Sequence, residues 1–170
     1  MKSRNFRVEG HRKFDHTISM PSASLDTPIG PLTVDARDGK IFRVRWVDDP
    51  SGEITPELQA AVDQLRVYFA GELETFDLPL HVDGSDLQRA VCDAMYAIPL
   101  GETRTYGDLA AELGVPAQAI GGACGGNPIP VIIPCHRILG ASTLGGFSGM
   151  GGVETKVWLL RHEKAAGLLI

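Results

Sequence analysis

Thr105-Tyr106-Gly107-Asp108-Leu109-Ala110-Ala111-Glu112-Leu113-Gly114-Val115-Pro116-Ala117-Gln118-Ala119-Ile120-Gly121-Gly122-Ala123-Cys124-Gly125 is the stretch whose reading decides the fold. Its first part predicts a helix stopped at Gly114. Val115-Pro116 then makes the turn, and Ala117 opens a second short helix running towards Gly125. Helix, tight glycine-containing turn, helix is the helix-turn-helix pattern. Base-reading helices present Arg, Lys, Asn or Gln to base edges. Here Gln118 is the one long polar side chain among Ala and Gly. Two readings stay open. The face could press bare backbone against a groove wall or phosphates without regard to sequence, the narrow minor groove included. Or it could be buried in close helix-helix packing, for which small residues serve equally well.

Outward from this pair, residues 86–97 (DLQRAVCDAMYA) predict a helix stopped before Pro99, and 153–164 predict a last helix with Trp158, Leu159 and Leu160 on its apolar face. Towards the N-terminus the pattern changes. Residues 25–34 read as strand, tight turn, strand, and Ile41 to Val47 alternates apolar and basic residues as a half-buried strand does. Asp38-Gly39 between them is a hairpin signal. Thr55-Pro56-Glu57 supplies an N-cap, a proline at the first helical position and an early acid. Leu58, Ala61, Val62, Leu65, Val67, Tyr68 and Phe69 then follow at near-helical spacing, and Gly71 ends the helix. The fold class is therefore α+β. A tail (1–20) precedes a small hairpin-and-helix lobe (21–82), and a mainly helical, winged-helix-like lobe (83–170) carries the helix-turn-helix.

With 170 residues, 44% of them hydrophobic, the chain can build a real core. No apolar run approaches the roughly 20 residues that span a bilayer. The polar, basic start from Met1 to Phe14 lacks the apolar segment of a signal peptide. These features lead us to expect a cytoplasmic protein with no membrane partner. Three cysteines without spaced pairs argue against a disulfide framework and a cysteine zinc site, so free thiols and no metal are expected. The net charge of −5 counts against a simple electrostatic DNA binder.

The chemistry concentrates in Asn127-Pro128-Ile129-Pro130-Val131-Ile132-Ile133-Pro134-Cys135-His136-Arg137. Three prolines and an apolar run predict an extended path ending at a cysteine followed by a histidine. A thiolate, not a thiol, is the nucleophile; it needs a base, and the base needs an orienting carboxylate. Glu163 is the candidate orienter. His136 is adjacent to Cys135, so contact requires a non-strand backbone or a bridging water. The competing reading is a buried, inert cysteine. Residues 140–152 are too glycine-rich for helix or central strand. They lack the ending of a P-loop and read as a linker or as a lid over a flat ligand. Their place just after Cys135 favours the lid.

Pro134-Cys135-His136-Arg137, following Pro-Ile-Pro and an apolar run, resembles the hallmark of the O6-alkylguanine-DNA alkyltransferases, also called methylated-DNA–protein-cysteine methyltransferases. The likeness extends from Asp86 to Glu163 through Ile98-Pro99, Gly101-Glu102-Thr103, Thr105 to Ala110, Gly121-Gly122-Ala123, Asn127-Pro128, Lys156, Trp158-Leu159-Leu160 and His162-Glu163. It continues more loosely through Asp26 to Gly30 and Tyr68-Phe69-Ala70-Gly71. The resemblance implies a single-turnover suicide enzyme that needs no cofactor. It would act as a monomer on the minor-groove side of double-stranded DNA, moving an alkyl group from O6 of guanine, with O4-alkylthymine as a second substrate, onto Cys135.

It also implies roles for individual residues. His136 would take the thiol proton through a water, Glu163 would hold His136, and Asn127 would brace the turn. Tyr106 would help rotate the nucleotide. Ser148 would bind O6 through its N–H; backbone near Cys135 and Ile138, with Phe147 and Lys156, would complete the substrate site. Gln118, Ala119, Gly122, Tyr106 and Arg137 would face the DNA. Cys92 and Cys124 would be packing residues. Gln118 stands where the family usually carries an intercalating Arg, Phe147 where a Tyr is common, and the turn before Gln118 is shorter. Three other classes compete: a lesion binder lacking the acceptor cysteine, a thiol hydrolase and a transcription regulator. Cys135 itself, the helix pair and the shortage of base-reading side chains argue against them in that order.

Overall fold

Asp38 and Gly39 both have positive φ, 53° and 76°, the geometry that lets a two-residue turn follow the twist of its strands. The turn joins β2 (Leu32–Arg37) to β3 (Lys40–Arg45), and β1 (Ser22–Leu25) pairs with the other edge of β2. Both pairings are antiparallel. The computed structural model describes residues 20–165. The expected tail lies outside the described residues except for Met20.

Helix α1 (Pro56–Phe69) lies across this sheet. Leu58, Ala61, Val62, Leu65 and Tyr68 form its buried stripe, the spacing of one helical face. Thr55 occupies the cap position, but its side chain makes no capping bond, and its hydroxyl is buried without a partner among the described residues. The predicted cap is thus positional only, and Pro56, which has no N–H and a fixed φ, begins the helix.

The second lobe is mainly helical: α2 (Asp86–Tyr96), α3 (Tyr106–Leu113), α4 (Ala117–Gly125) and α5 (Val153–His162). Thr105 and Asp108 exchange hydrogen bonds as a capping box at the start of α3, and Gly114 closes it in the left-handed region at φ 66°. That single residue turns the chain into α4. A parallel two-residue pair, β4 (Arg104–Thr105) and β5 (Ile138–Leu139), ties the entry of α3 to the segment leaving Cys135.

The proline-rich run does not follow the extended path expected of it. Ile133 N donates to Ile129 O at 2.9 Å, and Val131 sits at φ 71°. A β-branched residue pays for that conformation in strain. Asn127 holds the loop closed: its Nδ2 donates to Ile133 O at 2.8 Å and its Oδ1 accepts from Ile129 N at 3.0 Å. One continuous core, from Ala23 to Leu159, runs through both lobes.

Candidate active site

Immediately after this loop, Cys135–Arg137 form a single 3-10 turn. This is the non-strand backbone that a Cys-His neighbour pair needs, because a strand would send the two side chains to opposite faces. Cys135 is buried at 6% exposure, and it lines a cleft of about 420 Å³ with Tyr106, Gly121, Cys124, Gly125, Gly146, Phe147 and Ser148. Helix α4 and the glycine loop thus both line the cleft that holds the thiol. Burial pushes the Cys135 thiol up, while the Asn127 amide and the Lys156 ammonium oppose that shift.

His136 is fully buried, and its Nε2 lies 2.6 Å from Glu163 Oε1. Burial pushes the imidazole below its usual range, against the pull of the carboxylate. Burial alone would raise Glu163, but the hydrogen bonds from His136 and Arg137 outweigh it and hold the carboxyl down at about 2. The carboxylate therefore stays an acceptor, and His136 must donate from Nε2. Its Nδ1, buried and without a partner among the described residues, carries the free lone pair. His136 and Glu163 thus form an oriented base on the same turn that carries the thiol.

Lys156 is fully buried, and its Nζ donates to Ile138 O at 2.6 Å and Gly146 O at 3.0 Å. It straps the glycine loop to the strand that follows Cys135. Burial lowers its ammonium to about 8, with the Cys135 and Cys124 sulfurs pulling the other way. Lys156 and Ile138 therefore support the cleft from behind; neither side chain lines it. Tyr106 does line it, and Gly145 lies so close that an added Cβ would stand 2.9 Å from its ring and hydroxyl. Phe147 meets Trp46 edge-on at 6.1 Å.

The expected DNA contact by Arg137 is corrected. The residue is 6% exposed. Its Nε and Nη2 donate to Glu163 at 2.9 Å each, and Nη1 donates to Ile98 O at 2.6 Å. A guanidinium whose nitrogens are committed to Glu163 and the Ile98 carbonyl braces the carboxylate and is almost wholly withdrawn from solvent. Cys124 is also more than packing: it lines the cleft beside Cys135. Burial pushes its thiol up to about 12, so it stays protonated. Cys92, buried in α2, plays no part in the cleft.

On α4, Gln118 and Gly122 are exposed and Ala119 is half-buried. A Cβ added at Gly121, Gly122 or Gly125 would meet nothing within 4 Å. Internal packing does not require these glycines, which removes the packing explanation for that face. Trp46 and Tyr68, both from the first lobe, also reach the site, and sequence reasoning missed them in that role. Tyr68 stood as one residue of the α1 stripe and of the looser N-terminal likeness, with no site role, and a contact across 95 positions leaves no local signal.

A buried thiol, a carboxylate-oriented imidazole and a cleft beside a bare helix face define a class, the cysteine-nucleophile group-transfer proteins. Comparisons narrow it. Residues 20–82 match the family model for the 6-O-methylguanine DNA methyltransferase, ribonuclease-like domain, and residues 86–165 match that for its DNA binding domain. The chain is 43% identical over 158 residues to the methylated-DNA–protein-cysteine methyltransferase of Mycobacterium tuberculosis, covering 84% of this chain and 91% of that one. It is 39% identical over 155 residues to the constitutive enzyme of Bacillus subtilis, covering 83% and 93%. The crystal structure of Mycobacterium tuberculosis OGT in complex with DNA superposes with a TM-score of 0.75 at 44% identity, covering 84% and 92%. The chain belongs to the 6-O-methylguanine DNA methyltransferase family.

Proposed function

We propose that the protein repairs DNA directly, taking an alkyl group from O6 of guanine, and from O4 of thymine as a second substrate, onto Cys135 Sγ. The observation that carries this reading is the buried Cys135 lining a cleft, on the same 3-10 turn as an imidazole whose Nε2 is held by Glu163 and whose Nδ1 is left free. The lesion sits inside a duplex, so the nucleotide must first rotate out, at a cost of a few kcal/mol. The bare face of α4, through Gln118, Ala119 and Gly122, lies against the minor groove, where small residues allow close approach. Tyr106 helps turn the base into the cleft.

His136 Nδ1 then takes the thiol proton through a water. Sγ attacks the alkyl carbon, a C–S bond forms and the C–O6 bond breaks. The departing guanine takes up a proton at N1, which balances the one lost by the thiol. The Ser148 N–H, with Phe147, holds the base, Asn127 keeps the acceptor turn in shape, and Lys156 keeps the loop closed. A thioether is not reversed by water, so each molecule acts once.

No helix among the described residues is long and apolar enough to cross a membrane. We take the protein to be a cytoplasmic monomer. The reading is tested with duplex O6-methylguanine in excess over protein. Repair should stop at one equivalent and be abolished in Cys135→Ser. Continued turnover would instead mark a thiol hydrolase.

A further inference from the structure

Glu163 receives more than the His136 bond. Its Oε1 also accepts from Tyr68 Oη at 2.7 Å and Arg137 Nη2 at 2.9 Å, and its Oε2 accepts from Arg137 Nε at 2.9 Å. Arg137 and His136 come from the turn that carries the acceptor. Tyr68 comes from α1, on the other lobe. It is 2% exposed. Its ring is boxed by Phe69, Phe76 and His162 with centroids 5.0, 5.5 and 5.3 Å away. Its backbone carbonyl is held in turn by His162 Nε2 at 2.7 Å. The hydroxyl therefore has one direction available, and it points at the carboxylate oxygen shared with His136.

We propose that Tyr68 is a positioning residue for alkyl transfer: its hydroxyl holds Glu163 Oε1 in line with His136 Nε2, so that the N-terminal lobe sets the basicity of His136. The proposal rests on the repair reading above. Each donor on a carboxylate draws charge from it and fixes its plane. Without the Tyr68 hydroxyl, Oε1 keeps more charge for His136, and the imidazole binds its second proton more readily. Burial and the neighbouring carboxylate push the Tyr68 hydroxyl well above its usual range, so it remains a donor throughout the working pH. The charged and titratable groups facing His136 and Glu163 are Tyr68 from α1, Arg137 from the acceptor turn and Lys156 from α5. His162, also on α5, faces Tyr68.

The experiment compares wild type, Tyr68→Phe and Phe76→Leu as full chains. Single-turnover transfer from O6-methylguanine duplex is followed from pH 5 to 9, and Cys135 alkylation by iodoacetamide is followed over the same range without DNA. Phe76 packs on Tyr68 but does not touch Glu163, so it reports any loss of packing alone. In Tyr68→Phe the acid limb of the transfer profile should move up by about half a pH unit, about a threefold loss of rate on that limb. One equivalent of thioether should still form, and affinity for undamaged duplex should be unchanged. The iodoacetamide profile should shift as well, while Phe76→Leu keeps the wild-type profiles. Wild-type profiles in Tyr68→Phe, or equal shifts in both variants, would overturn the proposal. If wild type transfers no alkyl group, the repair reading fails, and the iodoacetamide profiles still decide the role of Tyr68.

Discussion

The two nitrogens of His136 have separate duties. Nε2 is committed to Glu163, and Nδ1 is the only one left to act. Arg137 is what sustains that commitment, since it supplies the one permanent positive charge against a carboxylate whose other donors, His136 and Tyr68, are neutral. This predicts that Arg137→Ala loses about 3 kcal/mol of stability in urea unfolding, while its affinity for undamaged duplex stays at the wild-type value. A loss of DNA affinity with unchanged stability would restore the surface role first expected for it. That expectation failed for a physical reason. A basic residue beside a nucleophile reads as a DNA contact, and nothing local reveals that a carboxylate 26 positions away will bury it. Cys135, His136 and Glu163 were legible as candidates by residue type, but locally an inert buried cysteine was as good a reading, and it was the family resemblance running from Asp86 to Glu163 that assigned their roles. Their arrangement was not legible, since it comes from a 3-10 turn and from bonds to Glu163 that reach across the chain.

Helix α4 makes its case through what it lacks. Gly122 is helical and faces open space. Replacing it with Ala should therefore raise stability by about 0.5–1 kcal/mol, measured by thermal unfolding. The same methyl would stand on the face assigned to DNA, so duplex affinity should fall. A rise in stability with unchanged affinity would move the DNA contact elsewhere. Gln118→Arg should act in the other direction, adding a charge and a stacking plane, and should increase both duplex affinity and the single-turnover rate; no change in either would remove Gln118 from the contact. The helix pair was legible because Gly114 and Pro116 punctuate it unambiguously. The proline run was not. Prolines 128, 130 and 134 suggested extension, but Asn127 closes the loop with side-chain bonds and forces Val131 to positive φ. Tertiary bonds overrode the local preference.

Across the whole molecule, the shared core makes the first lobe part of the site's support, with Trp46 behind the glycine loop and Tyr68 on Glu163. The buried titratable groups fix how stability follows pH. His136 is held below its usual 6.5, so the unfolded chain binds its proton first and stability falls as pH drops through that value. Glu163 falls from 4.5 to about 2, and its stabilisation, complete above 4.5, is lost as pH falls towards 2. Lys156 falls from 10.5 to about 8, so the cost of burying its charge is relieved as pH rises from 8. Opposing these, the raised thiols of Cys135 and Cys124 hold their protons in the folded state, so stability declines as pH climbs above 9. The urea midpoint should rise from pH 5 to 8; a flat or falling midpoint would contradict the neutral, buried His136.

The most direct test of the central claim is the intact mass of the protein after reaction with duplex O6-methylguanine, followed by peptide mapping. The account predicts a single added methyl, on Cys135 and on neither Cys92 nor Cys124. An unchanged mass, or a methyl on another residue, would contradict it.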